Sequence, residues 1–444
     1  MCLSTSKQNQ SHSFILENQG REGILSRCIW VKQKPTPKRR RTTTLTSWPS
    51  LITKFFLAMS RTRERFCLGN TLGFPPSSSA EFPDWSRKVG ICRRSSENVG
   101  QRIPIDKKHV VSDLKILQGD DPNNIELVVK MICDGTPVAL PTETVYGLAA
   151  DAFCEKSVGS IFKIKGRPYN DPLIVHVAKF EQIESLAFIP SVLAKLSETF
   201  WPGPLTVVLR KKDSIPAVVT SGLPTVAVRI PAHPLFREVL EKVGRPLAAP
   251  SANPFGSVSP TRAEHIVSSF GESSPYILDG GSTEHGIEST ILSLAETIPV
   301  ILRLGPLSSD ELNSVLGRLP AEQLNADNDI PKAPGSLPRH YSPNTSLQLH
   351  PSSAAIHRSI QNASNPQTVG VILLKRPSPN EKWPKKSKVQ WLSESGNLNE
   401  AAFNLYDTLR KMDSDPQIEQ IHCHAAPDKG VGSAINDKLS RAAH

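Results

Sequence analysis

The chain has only seven cysteines, an odd number, and no Cys-x-x-Cys pair. That pattern supplies neither a disulfide framework nor a zinc site, and it suits a reducing compartment. Long apolar runs are missing as well. The best, Trp48 to Met59, is short and broken by Lys54, so no membrane span is expected. There is no Gly-x-x-x-x-Gly-Lys-[Ser/Thr] loop and no His-Glu-x-x-His helix, which removes the Walker-type nucleotidases and the zinc proteases. Aromatic residues make up 6% of the chain, too few for stacking platforms along a nucleic-acid strand. His422 and His424 stand two apart with no third ligand nearby, so no metal site is expected.

Acidic residues are scarce in one place. Residues 1–108 carry 20 Lys and Arg against 7 Asp and Glu, a balance of +13, so the remainder is −3 and the overall +10 belongs to the first segment. A nucleic-acid reading built on the overall charge would therefore be misplaced. Segment 1–108 has no sustained periodicity, is rich in Ser, Thr, Arg and Pro, and contains Lys38-Arg-Arg-Arg41. It reads as an organellar transit peptide plus linker, with a disordered tail or a basic nucleic-acid arm as alternatives. The expected location is mitochondrion or plastid, or cytoplasm for a product that starts at Met59.

A length of 444 residues allows two or three domains. Order is expected from about Ser112. Ile125, Val128, Val129 and Ile132 recur at helical spacing, with Gly135 placed to close the helix. Pro137–Pro141, Leu173–Val177, Leu205–Arg210, Thr225–Ile230, Pro246–Pro250, Thr290–Leu294 and Val300–Leu304 read as strands. Helices are expected from Ser191 to Phe200 and from Pro234 to Val243. Alternating strands and helices predict an α/β domain over 112–310, with a twisted mixed sheet flanked by helices. A polar, Pro-containing linker at 320–343 and a smaller α/β unit at 344–444 follow. That unit is read as a strand at Thr368–Leu374, a helix at Leu398–Met412, a weak strand at Ile418–His422 and a closing helix at Ser433–Ala443.

Five stretches are polar where a plain core would not be. In Lys165-Gly-Arg167-Pro, two cations stand where a helix runs out. Arg can fork onto two phosphate oxygens and Lys adds a point charge; a solvated surface pair is the alternative. Pro141-Thr-Glu-Thr-Val-Tyr-Gly-Leu148 is expected to make a strand-to-helix turn with donors in a cleft, or simply an N-cap. Ser251 and Asn253, two apart in an extended segment, would project together, unless they form an Asx turn. Arg229 in an apolar strand calls for an anion, either a carboxylate ligand or a buried salt bridge. Asp279-Gly-Gly281, Gly286-Ile-Glu-Ser-Thr-Ile291 and Arg303 offer close backbone approach with added donors.

In this order, these stretches resemble the YrdC family of threonylcarbamoyl-AMP synthases. The resemblance rests on Lys165 with Arg167, Ser251 with Asn253, and the phrases PTETVYGL, PLIVH, WPGPLT, VAVRIP and GIEST. Ala333-Pro-Gly335 with Arg339-His-Tyr-Ser-Pro343, and Gly430 to Leu439, resemble the linker and closing helix of the longer version with a C-terminal Rossmann-like domain. The resemblance implies that L-threonine, bicarbonate and ATP become threonylcarbamoyl-adenylate, pyrophosphate and water. The adenylate would then pass to tRNA threonylcarbamoyl transferase proteins. It implies Lys165 and Arg167 as the catalytic cations, and threonine contacts at Thr144, His176, Arg229, Ser251 and Ser289. ATP contacts would come from Arg167, Asp171, Thr225, Asn253, Thr261, Arg303 and Tyr341, with Mg²⁺ accompanying the nucleotide. Asp171 stands where relatives often carry Asn, and its carboxylate would repel phosphate unless Mg²⁺ or a basic neighbour intervenes. The competing readings are a binding module for double-stranded RNA or tRNA, and a related carbamoyl transferase.

Overall fold

Alternation along the strands decides which face of the sheet each side chain meets. In the computed structural model, which describes residues 115–324, 331–335, 337, 339–362 and 368–443, Val138 and Leu140 join one buried cluster and Ala139 the other. The same switch separates Leu278 from Ile277 and Leu247 from Ala248, as a period of two requires. The expectations for 1–108 and for a start at Ser112 lie outside the described residues.

The first part of the chain runs β1 (Ile116–Gln118), α1 (Pro122–Cys133), β2 (Val138–Leu140), β3 (Gly147–Asp151), α2 (Glu155–Lys165), β4 (Ile174–His176), α3 (Val192–Phe200) and β5 (Leu205–Arg210). It continues through α4 (Ala217–Thr220), β6 (Thr225–Arg229), α5 (Pro234–Val243), β7 (Leu247–Ala248), α6 (Ala263–Phe270) and β8 (Tyr276–Asp279). Then come β9 (Thr290–Ser293), β10 (Val300–Arg303), α7 (Ser309–Leu316) and β11 (Ala321–Glu322). These strands form one mixed sheet in the order β1-β8-β2-β3-β7-β4-β6-β5-β9-β10-β11. Helix α1 starts where Asp121 caps it, accepting from the Asn123 amide at 2.9 Å, with Pro122 in its first turn. Its Ile125, Val128 and Ile132 pack with Phe236, Val239 and Leu240 of α5 on one face of the sheet. Helices α2 and α3 contribute Val158, Ile161, Phe162, Leu193 and Leu196 to the other cluster.

The second part contains β12 (Ser346–His350), α8 (Ser353–Gln361), β13 (Val369–Lys375), β14 (Ser387–Ser393), α9 (Leu398–Asp413), β15 (Gln420–His424) and α10 (Val431–Ala442). Its four strands are all parallel, in the order β12-β15-β13-β14. The mixed α/β architecture with a small parallel C-terminal sheet is the one expected. Among the described residues, no helix is long and apolar enough to cross a membrane.

One glycine sets how the two parts meet. At Gly286 (φ 73°) a Cβ would stand 2.5 Å from the Phe403 Cα and carbonyl oxygen, so only the bare backbone admits α9. From that seam the larger cluster runs on into Leu405, Tyr406, Leu409, Ile435 and Leu439. The glycines of the 279–291 region, read as room for a ligand, thus make room in part for the chain's own helix.

Candidate active site

Three strand ends and two turns aim polar groups at one place. Strands β4 and β6 run parallel with His176 opposite Arg229, so an imidazole and a guanidinium stand side by side. The turn after β2 brings Thr142, Glu143 and Thr144. It leads into β3, antiparallel to β2, and not into a helix as expected. Thr142 Oγ1 accepts from the Thr144 and Val145 amides at 3.1 and 3.2 Å. That closes a hydroxyl-stabilised turn, and the next residues then have β2 and β7 to pair with.

Arg229 is held in place from three sides. It lies 2.7 Å from Glu143, and it donates to the Gly203 carbonyl at 3.1 Å and to Thr144 Oγ1 at 3.0 Å. The salt-bridge alternative is thus realised here. Burial opposes charge on Glu143, but the adjacent Arg229 prevails and holds its carboxyl below the usual range. Burial, with Arg229 adding to it, pushes His176 down to about 3, so its imidazole is neutral. The buried His176 Nδ1 has no hydrogen-bond partner among the described residues.

Lys165 is the last residue of α2, and Gly166 in left-handed geometry ends the helix. The ammonium turns inward and donates to the Ser251 carbonyl at 2.6 Å and to that of Asn253. Burial, helped by Arg167, lowers its pKa well below the lysine range. The two signature pairs therefore converge, but Lys165 acts as a tie to the second turn. Arg167 reaches Asp171 at 2.9 Å and the Pro172 carbonyl at 2.8 Å. Asp171 thus has the basic neighbour its carboxylate requires. Arg303 donates to Ser289 Oγ and to the Ser289 carbonyl, both at 3.0 Å, and to the Pro334 carbonyl of the linker at 3.2 Å. Ser289 Oγ also meets Thr206 Oγ1 at 2.8 Å.

Thr144, His176, Arg229, Ser251, Ser289, Arg167, Arg303 and Tyr341 line a single cavity. Lys165, Asp171, Thr225, Asn253 and Thr261 do not line it. Thr225 stands at the opposite end of β6 from Arg229. The Asn253 amide turns back onto the Pro254 and Ser257 carbonyls, at 2.9 and 2.8 Å, in place of projecting with Ser251. The Thr261 hydroxyl lies 3.3 Å from His265 Nδ1, and His265 Nε2 lies 3.2 Å from Asp407 of α9.

The linker closes the cavity. Pro334, Gly335, His340 and Tyr341 form part of its wall, and only about 50 Å³ of it admits the centre of a water molecule. Tyr341 is buried with φ 60°. Its ring stacks on Tyr406 of α9 at 5.8 Å and lies 5.2 Å from the Lys438 ammonium. The Tyr406 hydroxyl donates to Glu288 at 2.8 Å, and Ser259 donates to the same carboxylate at 2.5 Å. Glu288, His340, Tyr406 and Lys438 were not singled out from sequence. Glu288 sits inside the GIEST phrase, where a charged residue between apolar ones was signal enough. Tyr406 falls on the apolar stripe of an amphipathic helix, where nothing sets it apart from core. Among the described residues, no group of three or more His, Cys, Asp or Glu could hold a metal ion.

A family model described as "Telomere recombination" matches residues 130–305, and one described as "Threonylcarbamoyl-AMP synthase, C-terminal domain" matches 307–444. Together they define a two-domain synthase. The threonylcarbamoyl-AMP synthase of Pyrococcus abyssi is 40% identical over 327 residues, which cover 72% of this chain and 93% of that protein. That of Bacillus subtilis is 38% identical over 334 residues, covering 74% and 94%. The crystal structure of P. abyssi Sua5 complexed with L-threonine superposes with a TM-score of 0.68 at 38% identity, over 74% of this chain and 96% of that one. The chain belongs to the threonylcarbamoyl-AMP synthase family.

Proposed function

We propose that the cavity is an adenylation site that converts L-threonine, bicarbonate and ATP into threonylcarbamoyl-adenylate, pyrophosphate and water, which makes the chain a nucleotidyltransferase. The observation that carries this reading is the convergence of three buried guanidinium groups, Arg167, Arg229 and Arg303, on one cavity that the hydroxyls of Thr142, Thr144, Ser251 and Ser289 also line. Buried cations at that density suit an oligophosphate at one end and a carboxylate at the other.

Threonine would lie at the His176 end. Arg229, already oriented by Glu143 and Thr144, receives its carboxylate. The neutral His176 Nδ1 accepts from its amine, and Ser251 and Ser289 contact the rest. The amine loses a proton and captures carbon dioxide from bicarbonate, releasing water. The carbamate oxygen then attacks the α-phosphorus of ATP, and the bond to the pyrophosphate oxygen breaks. No covalent enzyme intermediate is needed. Arg167 and Arg303 stabilise charge on the phosphates, while Lys165 fixes the Ser251–Asn253 turn beside them.

Mg²⁺ fits as an ion that arrives on the nucleotide. Asp171 and Asn253 do not line the cavity, and the one carboxylate that does, Glu288, is bonded to Ser259 and Tyr406, so the residues build no resident centre and the phosphates themselves would hold the cation. When bound, it would neutralise charge on the leaving pyrophosphate.

Tyr341 and His340 would act as a lid that moves aside for ATP and returns to keep water from the adenylate. The product would then pass to tRNA threonylcarbamoyl transferase proteins. Segment 1–108 would direct the longer product to mitochondrion or plastid, with a cytoplasmic form from Met59. Incubation with ATP, threonine and ¹⁴C-bicarbonate tests the chemistry. Label should enter a nucleotide product only when threonine and ATP are both present, and label entry without threonine would defeat the proposal.

A further inference from the structure

The connection between β13 and β14 is unlike the rest of the folded body. Parallel strands joined by a crossover are normally covered by a helix. Here residues 376–386 form a strap of turns and irregular backbone in place of one. Lys375 to Lys388 holds six Lys and Arg against one acid, Glu381, on a body whose net charge after residue 108 is −3.

The strap is pinned by its aromatic residue. Trp383 joins a buried cluster with Ile356, Val369, Val371 and Leu373, and His357 of α8 stacks on it at 3.9 Å. Beside it, the Arg376 guanidinium lies over Trp391 at 5.2 Å and pairs with Glu394 at 3.2 Å. With Trp383 turned inward, Lys382, Lys385 and Lys386 are exposed. Arg376 and Glu381 of the strap, and Lys388 just beyond it, form ion pairs, and Lys382 and Lys385 face solvent.

A lysine on an exposed sheet edge protects against edge-to-edge pairing. That accounts for Lys388, which lies in the edge strand β14. It does not account for Lys382, Lys385 or Lys386, which lie outside any strand. A membrane surface is a poor fit, because among the described residues no exposed large hydrophobic falls in the second part of the chain and docking there needs apolar side chains to insert.

We propose that this strap is an RNA-docking surface. Lys382, Lys385 and Lys386 would contact the phosphate backbone, on a strap that the packed Trp383 holds in place. The surface is separate from the cavity. It would give a chain whose proposed product is destined for RNA a foothold on that polymer, but its binding needs neither ATP nor threonine.

The test uses the full-length chain and unmodified tRNA, with affinity measured by fluorescence anisotropy across a series of KCl concentrations. The double variant Lys382→Gln/Lys385→Gln should flatten the plot of log K against log salt by about 1.4–1.8, from about 0.7–0.9 per lost phosphate contact. The basic segment 1–108 contributes equally to both proteins and cancels in the difference. Adenylate synthesis by the double variant should equal that of wild type, which shows that the fold is intact and keeps this result apart from any failure of the adenylation reading. The single variant Lys385→Gln should fall midway. An unchanged slope overturns the proposal. So does an equal loss of binding to phosphatidylserine vesicles with tRNA affinity unaltered, which would assign the strap to a membrane.

Discussion

The two parts of the folded chain bury charge in opposite ways. The first part gathers its buried cations around a cavity, where Arg167 and Arg229 are each held against a carboxylate and Arg303 against hydroxyl and carbonyl oxygens. The second part sends its buried polar groups outward to the first. Tyr406 bonds Glu288, Asp407 meets His265, and Arg410 donates to the Ser259 and His265 carbonyls at 3.3 and 3.2 Å. Residues 402, 403, 406, 407 and 410 recur at the spacing that puts them on one side of α9. The comparison teaches a division of labour: the first part holds the chemistry, and the second holds the walls and lid in register.

The largest test of that division falls on the first part. Arg167→Ala should lower the rate of threonine-dependent pyrophosphate release by about 10²–10³, the scale for a lost preorganised donor. A wild-type rate would remove Arg167 from the chemistry. Next comes the seam. Gly286→Ala drives a methyl into the Phe403 backbone and should cost about 3 kcal/mol, from overpacking and from left-handed geometry. The drop is read from chemical denaturation. If stability were unchanged, α9 would not be held there.

Acid should then separate the parts more finely. The folded His176 pKa is about 3 against about 6.5 unfolded. Protons therefore favour the unfolded chain, and stability present above pH 6.5 is lost as pH falls from 6.5 toward 3. One such group contributes a slope approaching 1.4 kcal/mol per pH unit, or about 2 kcal/mol between pH 6.5 and 5. His176→Gln should shallow the acid limb by that amount, and an identical limb would mean that His176 is solvated. The smallest effect is expected from Tyr406→Phe, which keeps the ring under Tyr341 but removes one donor from Glu288. It should cost about 1–2 kcal/mol and raise the KM for ATP more than it lowers kcat. A fall in kcat alone would give Tyr406 a different role.

Much of this division was legible in the sequence, unevenly. Strands such as Leu205–Arg210 and Val300–Arg303 are short apolar runs between turn residues, and α1 and α5 carry their caps in plain view. Strand β14 was missed because Lys388 and Gln390 interrupt its pattern at a sheet edge, and α8 because Ile356 alone among its residues is buried. In the site, the cations and hydroxyls were visible as polar residues in apolar surroundings. Their orientation was not. Whether Lys165 faces a cavity or the Ser251 carbonyl depends on contacts 86 residues apart. Tyr341 in left-handed geometry, packed between the linker and α9, follows from tertiary packing that no local pattern encodes.

The division of chemistry from closure is tested most directly by the ratio of threonylcarbamoyl-adenylate recovered to pyrophosphate released in single turnovers. Wild type should give a ratio near one. Tyr341→Ala should give clearly less, because the adenylate loses its cover and reaches water. An undiminished ratio in that variant would contradict the account, since the cavity would then protect its product without the lid.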